Sequence, residues 1–278
     1  MGCSEPTTRR ILRGGAAASA AKPGSCDTGA GRVTSLFQSR GLPAAVVALG
    51  FAVIARTLGA VTDGGAMMGV LVAFVLMLAA GFPGFLSLAT VFVITVVTTR
   101  WGYSRKQQLG VAERRHGRTA SQVLANLGAA ALCALPSIWF PRFSAILLVG
   151  AMAALAEAAA DTASSEVGQA TARRAYRITD FRDATIGTNG AISVEGTISG
   201  CVAACMVSWV SAVVGVVSWN WTPLIALAAI AGMFLDSVIG ATWENAGKMG
   251  NDSVNFVSTV FAADLALTVA MVMEKLGR

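Results

Sequence analysis

Charge is scarce in this sequence, and histidine scarcer. Lys, Arg, Asp and Glu make up 13% of the 278 residues, against about 25% in a soluble domain. The deficit runs in long uncharged apolar blocks. A chain folded in water on such blocks has too few polar groups to cover its surface. That excludes a soluble globular enzyme, a disordered chain and a coiled coil. Strict alternation of apolar and polar residues is also missing, which excludes an outer-membrane barrel. The single histidine, His116, excludes HExxH metalloprotease chemistry and multi-histidine metal sites. No GxSxG nucleophile elbow accompanies it. The cysteines, Cys3, Cys26, Cys133, Cys201 and Cys205, form no CxxC pair. Cys201 and Cys205, one helical turn apart in an apolar run, read as small packing residues.

What is present is apolar: 55% hydrophobic residues and a mean hydropathy of +0.65. The fold class that remains is all-α, a polytopic transmembrane helical bundle. Apolar blocks stand at 42–60, 65–81, 83–99, 121–140, 144–163, 197–218, 222–242 and 254–273. A span takes about 20 residues, so about eight spans are expected, within a range of six to nine. Arg56 interrupts the first block and can snorkel to the interface. Only Phe82-Pro83-Gly84 divides the second block from the third, which suits either a tight hairpin or one broken helix.

Residues 1–40 differ from the rest. They hold Arg9, Arg10, Arg13, Lys22, Arg32 and Arg40 against only Glu5 and Asp27, with small residues between. The expectation is a disordered basic segment of transit-peptide type over 1–40, followed by a transmembrane domain over 41–278. Pro6 stands where a myristoylation signal needs Ser or Thr. Eight spans put the loops 100–120, 164–196 and 243–253 on one face. These carry Arg100, Arg105, Lys106, Arg114, Arg115, Arg118, Arg173, Arg174, Arg177, Arg182 and Lys248, against Arg40, Arg142, Lys275 and Arg278 opposite. The positive-inside rule places the long loops on the cytoplasmic or stromal side, where nucleotides are. The net charge of +6 thus reads as membrane orientation, and no nucleic-acid partner is expected.

Acids within the apolar blocks carry the chemistry. Glu157 and Asp161 are four apart on one helix face, with Glu166 five residues beyond. Asp236 lies in the seventh span with Glu244 following, and Asp264 in the eighth. Intramembrane carboxylates are expensive and mark ion or substrate sites. Mg²⁺ binds one or two carboxylates plus substrate phosphates, so Asp161, Glu166 and Asp236 are the candidate metal and catalytic set. The loop Gly187-Thr188-Asn189-Gly190 can bring backbone N–H groups to phosphate, although the GK[ST] ending of a Walker A loop is missing. Arg105, Lys106 and Asn126 border the first long loop. Lys248, Asn251, Asp252 and Asn255 border the last, where Asp252 also suits an N-cap. Carboxylates, a Gly/Asn loop and cations on one face suit phosphoryl transfer from a nucleoside triphosphate.

Six ordered motifs carry a family resemblance. They are Ser104-Arg105-Lys106-x-x-Leu109-Gly110, Gln122-Val-Leu-Ala-Asn126, Asp161-Thr162-x-x-Ser165-Glu166-x-Gly168, Gly187-Thr188-Asn189-Gly190, Asp236-Ser237-x-x-Gly240-Ala241-Thr242 and Asn251-Asp252-x-Val254-Asn255-Phe256. Over about residues 42–273 the chain resembles the integral-membrane family of the plastid phytyl-phosphate kinase of vitamin E synthesis. The resemblance implies phosphorylation of an isoprenyl monophosphate to its diphosphate, with CTP as donor and Mg²⁺ as cofactor. It also implies a chloroplast membrane and phytol salvage for tocopherol synthesis. The sequence departs from the family pattern at Leu127 and Ala191, where Gly is common. A CTP-dependent lipid cytidylyltransferase uses the same parts. An ion-coupled transporter is the reading of another class, with Asp161, Asp236 and Asp264 as relays.

Overall fold

A computed structural model describes residues 29–112 and 117–276. The expectation for residues 1–28 lies outside them, as do Arg114, Arg115 and His116. The rest of the N-terminal segment is helical: α1 (Gly29–Leu36) runs through a π-helical turn at Phe37–Gly41 into α2 (Leu42–Thr57). The further helices are α3 (Asp63–Arg100), α4 (Tyr103–Gln108), α5 (Ala120–Ala134), α6 (Ser144–Thr171), α7 (Val194–Val213), α8 (Thr222–Ile239) and α9 (Asn251–Leu276). Among the described residues seven helices are long and apolar enough to cross a membrane.

The longest, α3, has 38 residues. Straight, it would extend roughly 57 Å, about twice the hydrocarbon thickness. It is folded at Gly81, whose φ of 69° and ψ of −159° belong to a region essentially reserved for glycine. Pro83 then suits the first turn of the second arm, where its missing N–H costs nothing. The arms run antiparallel: a Cβ on Gly84 would lie 2.8 Å from the Leu76 carbonyl oxygen. At the other end Arg100 donates to the Leu58 carbonyl at 2.6 Å. The Phe82-Pro83-Gly84 break is therefore a hairpin, and the seven helices make eight crossings.

Alanine decides the packing. α2 buries Ala44, Ala48, Ala52 and Ala55 and exposes Val46, Leu49 and Val53. This inversion is what a lipid solvent permits, since association there is driven by close backbone approach rather than by apolar burial. α6 is the central helix: Val149, Gly150, Ala151 and the nine residues after them are all buried, and α3, α5, α7, α8 and α9 pack around it. Asp264 lies exposed on the outside of α9.

Local signals start the helices that frame the loop end. The Thr62 hydroxyl accepts from the Gly65 N–H at 3.1 Å to cap α3. Thr119 and Gln122 form a capping box on α5, satisfying two orphan donors. Ser193 caps α7 through the Gly196 N–H at 3.1 Å. Between α6 and α7 lies a small antiparallel sheet in the order β2-β1-β3, from β1 (Ala175–Arg177), β2 (Asp183–Ala184) and β3 (Ala191–Ile192). It folds the 172–193 loop back over the end of the bundle.

Candidate active site

A cavity of about 330 Å³ opens at this loop end, lined by α5, α6, α8, α9 and the 186–193 loop. Of the residues expected from sequence, it brings together Asp161, Glu166, Asp236, Asn126, Gly187, Thr188, Asn189, Gly190, Asn251 and Asn255. Arg105, Lys106, Lys248 and Asp252 do not line it.

The acids come from two helices. Asp161 projects from α6, Asp236 from α8, and Glu244 from the π-helical turn Gly240–Glu244 that continues α8. Asp161 lies within electrostatic range of Glu244 and Glu166, and Asp236 within range of Asp161 and Glu244. One turn deeper, Glu157 is buried and its Oε1 has no hydrogen-bond partner. Gly232 makes room for it, since a Cβ there would lie 2.6 Å from the Glu157 Cγ. Asp236 is held by hydrogen bonds: Ser258 donates to its Oδ2 at 3.2 Å. With its amide turned so that the nitrogen faces the carboxylate, Asn255 donates to the same oxygen at 3.2 Å and accepts from the Asn126 amide at 3.3 Å. The i, i+4 pair Asn251 and Asn255 thus faces the cavity from α9, while Asp252 sits in the helix's first turn, at the favourable end of its dipole.

The glycine loop forms the roof. Gly190 has a φ of +72°, and a Cβ there would lie 2.5 Å from the Ala241 nitrogen, so only glycine lets the loop meet α8 this closely. The Asn245 amide donates to the Asn189 carbonyl at 3.2 Å, tying the roof to the turn after α8. The Thr188 hydroxyl and N–H both bond the Thr185 carbonyl, at 2.8 and 3.2 Å. Among the described residues no acceptor takes the N–H of Gly187, Asn189 or Gly190. Such groups over a cavity suit an anion.

The Ser-Arg-Lys motif does something other than expected. α6 does not end near Glu166 but continues to Thr171, which carries Glu166 round toward α3 and α4. There its carboxylate pairs with Lys106, which is fully buried, and accepts from the Thr99 hydroxyl at 3.1 Å. Lys106 also donates to the carbonyls of Thr98 (3.2 Å) and Thr99 (2.6 Å) at the end of α3. All three ammonium donors are thereby spent on protein, and none remains for phosphate. Arg105 donates to the carbonyls of Ala170 at 3.2 Å and Ala172 at 2.5 Å, closing the end of α6. Arg105 and Lys106 are fasteners between helix ends, where cations suit the dipole. Lys248 is exposed on the α8–α9 connection.

The cavity's cation is Arg118. Its backbone is pinned beside the α2–α3 connection: its N–H donates to the Ala60 carbonyl at 2.9 Å and its carbonyl accepts from the Thr62 N–H at 3.0 Å. Its guanidinium reaches Thr162 on α6 at 3.3 Å and lies within electrostatic range of Asp161. In sequence it is one of several loop arginines. Its place directly before the Thr119–Gln122 capping box is the signal that separates it. The donor set fits a hard cation: carboxylates and amides line the cavity, with no His or Cys among the described residues. Among the described residues no three His, Cys, Asp or Glu side chains are grouped to hold a metal ion alone.

Fold and site together define a polytopic helical membrane protein with an acidic, anion-suited cavity at one end of its bundle. The chain belongs to the family described as Integral membrane protein DUF92, whose model matches residues 46–263. It is 34% identical over 194 residues to an uncharacterized membrane protein of Synechocystis, covering 69% of this chain and 75% of that one. It is 31% identical over 202 residues to the chloroplastic protein VTE6 of Arabidopsis thaliana, covering 70% of this chain and 60% of VTE6. An uncharacterized membrane protein of Methanocaldococcus jannaschii is 28% identical over 199 residues, 70% of this chain and 80% of the relative. No solved structure matches the chain.

Proposed function

We propose that the protein is a membrane-embedded phosphotransferase that converts an isoprenyl monophosphate, phytyl phosphate, to its diphosphate with CTP as donor. One observation carries the reading: Asp161 and Asp236, Arg118 and the Gly187–Gly190 loop converge on one cavity at the membrane edge. Similarity to VTE6 over 70% of the chain and the six ordered motifs support it. In the reaction an oxygen of the isoprenyl phosphate attacks the terminal phosphorus of the nucleotide. That bond forms as the bond to the β-phosphate oxygen breaks, and CDP leaves. No proton has to be removed from an ionised phosphate nucleophile, so positioning and charge do the work.

Each group has a part in that scheme. The loop N–H groups hold the nucleotide phosphates, and Arg118 offers a forked cation to the acceptor phosphate. Asn126 and Asn255 fix the direction of the Asp236 carboxylate. Mg²⁺ held by Asp161 and Asp236 would neutralise charge on the transferring group. Arg105, Lys106 and Glu166 act at a distance, locking the ends of α3 and α6. A plastid membrane and phytol salvage for tocopherol synthesis are the proposed setting, supported by the chloroplastic relative and the acid-poor N-terminal composition.

The test is product analysis with purified protein in nanodiscs, phytyl monophosphate and γ-labelled CTP. Labelled phytyl diphosphate with release of CDP is expected. Release of inorganic diphosphate with a CDP-linked lipid would make the protein a cytidylyltransferase. Ion uptake into proteoliposomes without nucleotide turnover would favour a transporter.

A further inference from the structure

A second cavity adjoins the first. It has a volume of about 80 Å³ and lies between α2, α3 and α5, with walls that are almost wholly apolar. Arg118 and Asn126 line both cavities. The polar chamber and the apolar one therefore meet at a guanidinium and a buried amide. From Thr95 to Leu88 the apolar wall descends roughly 10 Å along the second arm of α3, toward the middle of the bilayer. Phe51 and Phe92, at 4.9 Å between ring centroids, stand along it. Its outer wall is α2, which packs chiefly on α3 and turns Val46, Leu49 and Val53 outward, so the pocket is one helix away from lipid.

We propose that this apolar pocket takes the first few carbons of the hydrocarbon tail of an amphiphilic monophosphate whose head group sits at Arg118 in the polar chamber, the rest of the tail lying in lipid beside α2. The inference rests on the phosphotransferase reading for the head group and adds where the tail goes and what limits it. A phosphate head beside a cation and a tail in a dry slot satisfy both ends of one molecule: charge is paired, and each buried CH₂ contributes about 0.8 kcal/mol. The tail enters alongside α2, and the nucleotide enters from the opposite, loop-covered side of the polar chamber.

Gly69 offers a clean probe. It lines the pocket, and a Cβ on it would meet nothing within 4 Å. Gly69→Leu puts a side chain into the slot from a position where a Cβ meets nothing, and it favours the helix it stands in. Gly50→Leu, at an exposed position on α2 with the same open space, is the control. The experiment uses farnesyl monophosphate carrying a small diazirine on its first isoprene unit, photolysed with full-length protein in nanodiscs and mapped by mass spectrometry. Adducts are expected in 51–55 or 88–95, with a yield that falls about tenfold in Gly69→Leu, the scale of a steric block in an apolar pocket. Gly50→Leu should label like the wild type. Adducts scattered over the outer helix faces, or an unchanged yield in Gly69→Leu, would overturn the tail pocket even if the kinase reaction is found. Labelling in the pocket without nucleotide turnover would keep the pocket and remove the phosphotransferase.

Discussion

Lys106 and Glu166, 60 residues apart in sequence, form a buried ion pair that joins the end of α3 to the inner face of α6. The pair sits beside the polar cavity rather than in it. Glu166 contributes to the wall through its position, while its charge is already matched.

Breaking that pair should cost stability more than chemistry. Lys106→Met leaves the Glu166 charge buried alone, and Glu166→Gln leaves the Lys106 charge alone. Each is expected to lower stability by about 3–5 kcal/mol, read as a thermal melt in detergent. Lys106→Met combined with Glu166→Leu should recover most of the loss. A changed Mg²⁺ requirement confined to Glu166→Gln, with an unchanged melt, would return Glu166 to metal binding.

Asp161→Asn and Asp236→Asn keep the shape of the cavity and remove its charge. Each should lose about 10²-fold or more in turnover, the scale of losing an electrostatic stabiliser. Folding should survive, because an amide is less costly to hold out of water than a carboxylate. Steady-state kinetics across a Mg²⁺ titration decides it. Near-wild-type turnover of both variants at limiting Mg²⁺ would remove them from the metal site.

Arg118→Ala is expected to weaken use of the acceptor phosphate by about 1.5–3 kcal/mol, the range for a hydrogen bond to a charged group. Arg118→Lys should recover only part of this, since an ammonium lacks the planar fork. The loss should appear in kcat/KM for the isoprenyl phosphate. A loss confined to the nucleotide KM would move Arg118 to the donor side.

Gly81→Ala should destabilise the hairpin by about 1–3 kcal/mol, the cost of holding a side chain in its backbone region. The closely related Ala80→Gly, placed before the turn in ordinary helix, should cost about 1 kcal/mol at most. Melting curves of the two variants in the same detergent give the comparison.

The eight crossings fix which loops share a side. Single cysteines at Ser104, Thr185 and Lys248, in a background without the native cysteines, should react alike with a membrane-impermeant maleimide. Ser218→Cys should show the opposite accessibility in sealed, oriented vesicles. Opposite labelling of any two of the first three would break the shared cavity.

The bundle was legible because its cause is local. Every apolar block declares its own preference for lipid, and the spans from α2 to α9 follow the blocks within a few residues at each end, except that α6 runs on past its block to Thr171. The acids at 161 and 236, the loop at 187–190 and the asparagines at 126 and 255 were legible for the same reason, since polar groups inside apolar runs stand out. Asp161 and Asp236 line one cavity because both spans end at the same face. The sequence left open whether Phe82-Pro83-Gly84 was a hairpin or a break. The close approach at Gly84 decided that, and it depends on two arms touching.

Cation identity was where local reasoning stopped. Lys106 and Arg118 are both basic residues at a membrane surface, and nothing within a few positions of Lys106 says that it is spent on protein. That depends on which carboxylate and which helix-end carbonyls arrive from 60 residues away. The sequence alone determined the solvent and the kinds of group at the site. Tertiary structure alone decided that Lys106 locks two helices, that Arg118 faces the acids, and that an apolar slot opens beside it. Burial and pairing are properties of the assembled bundle, and no single segment carries them.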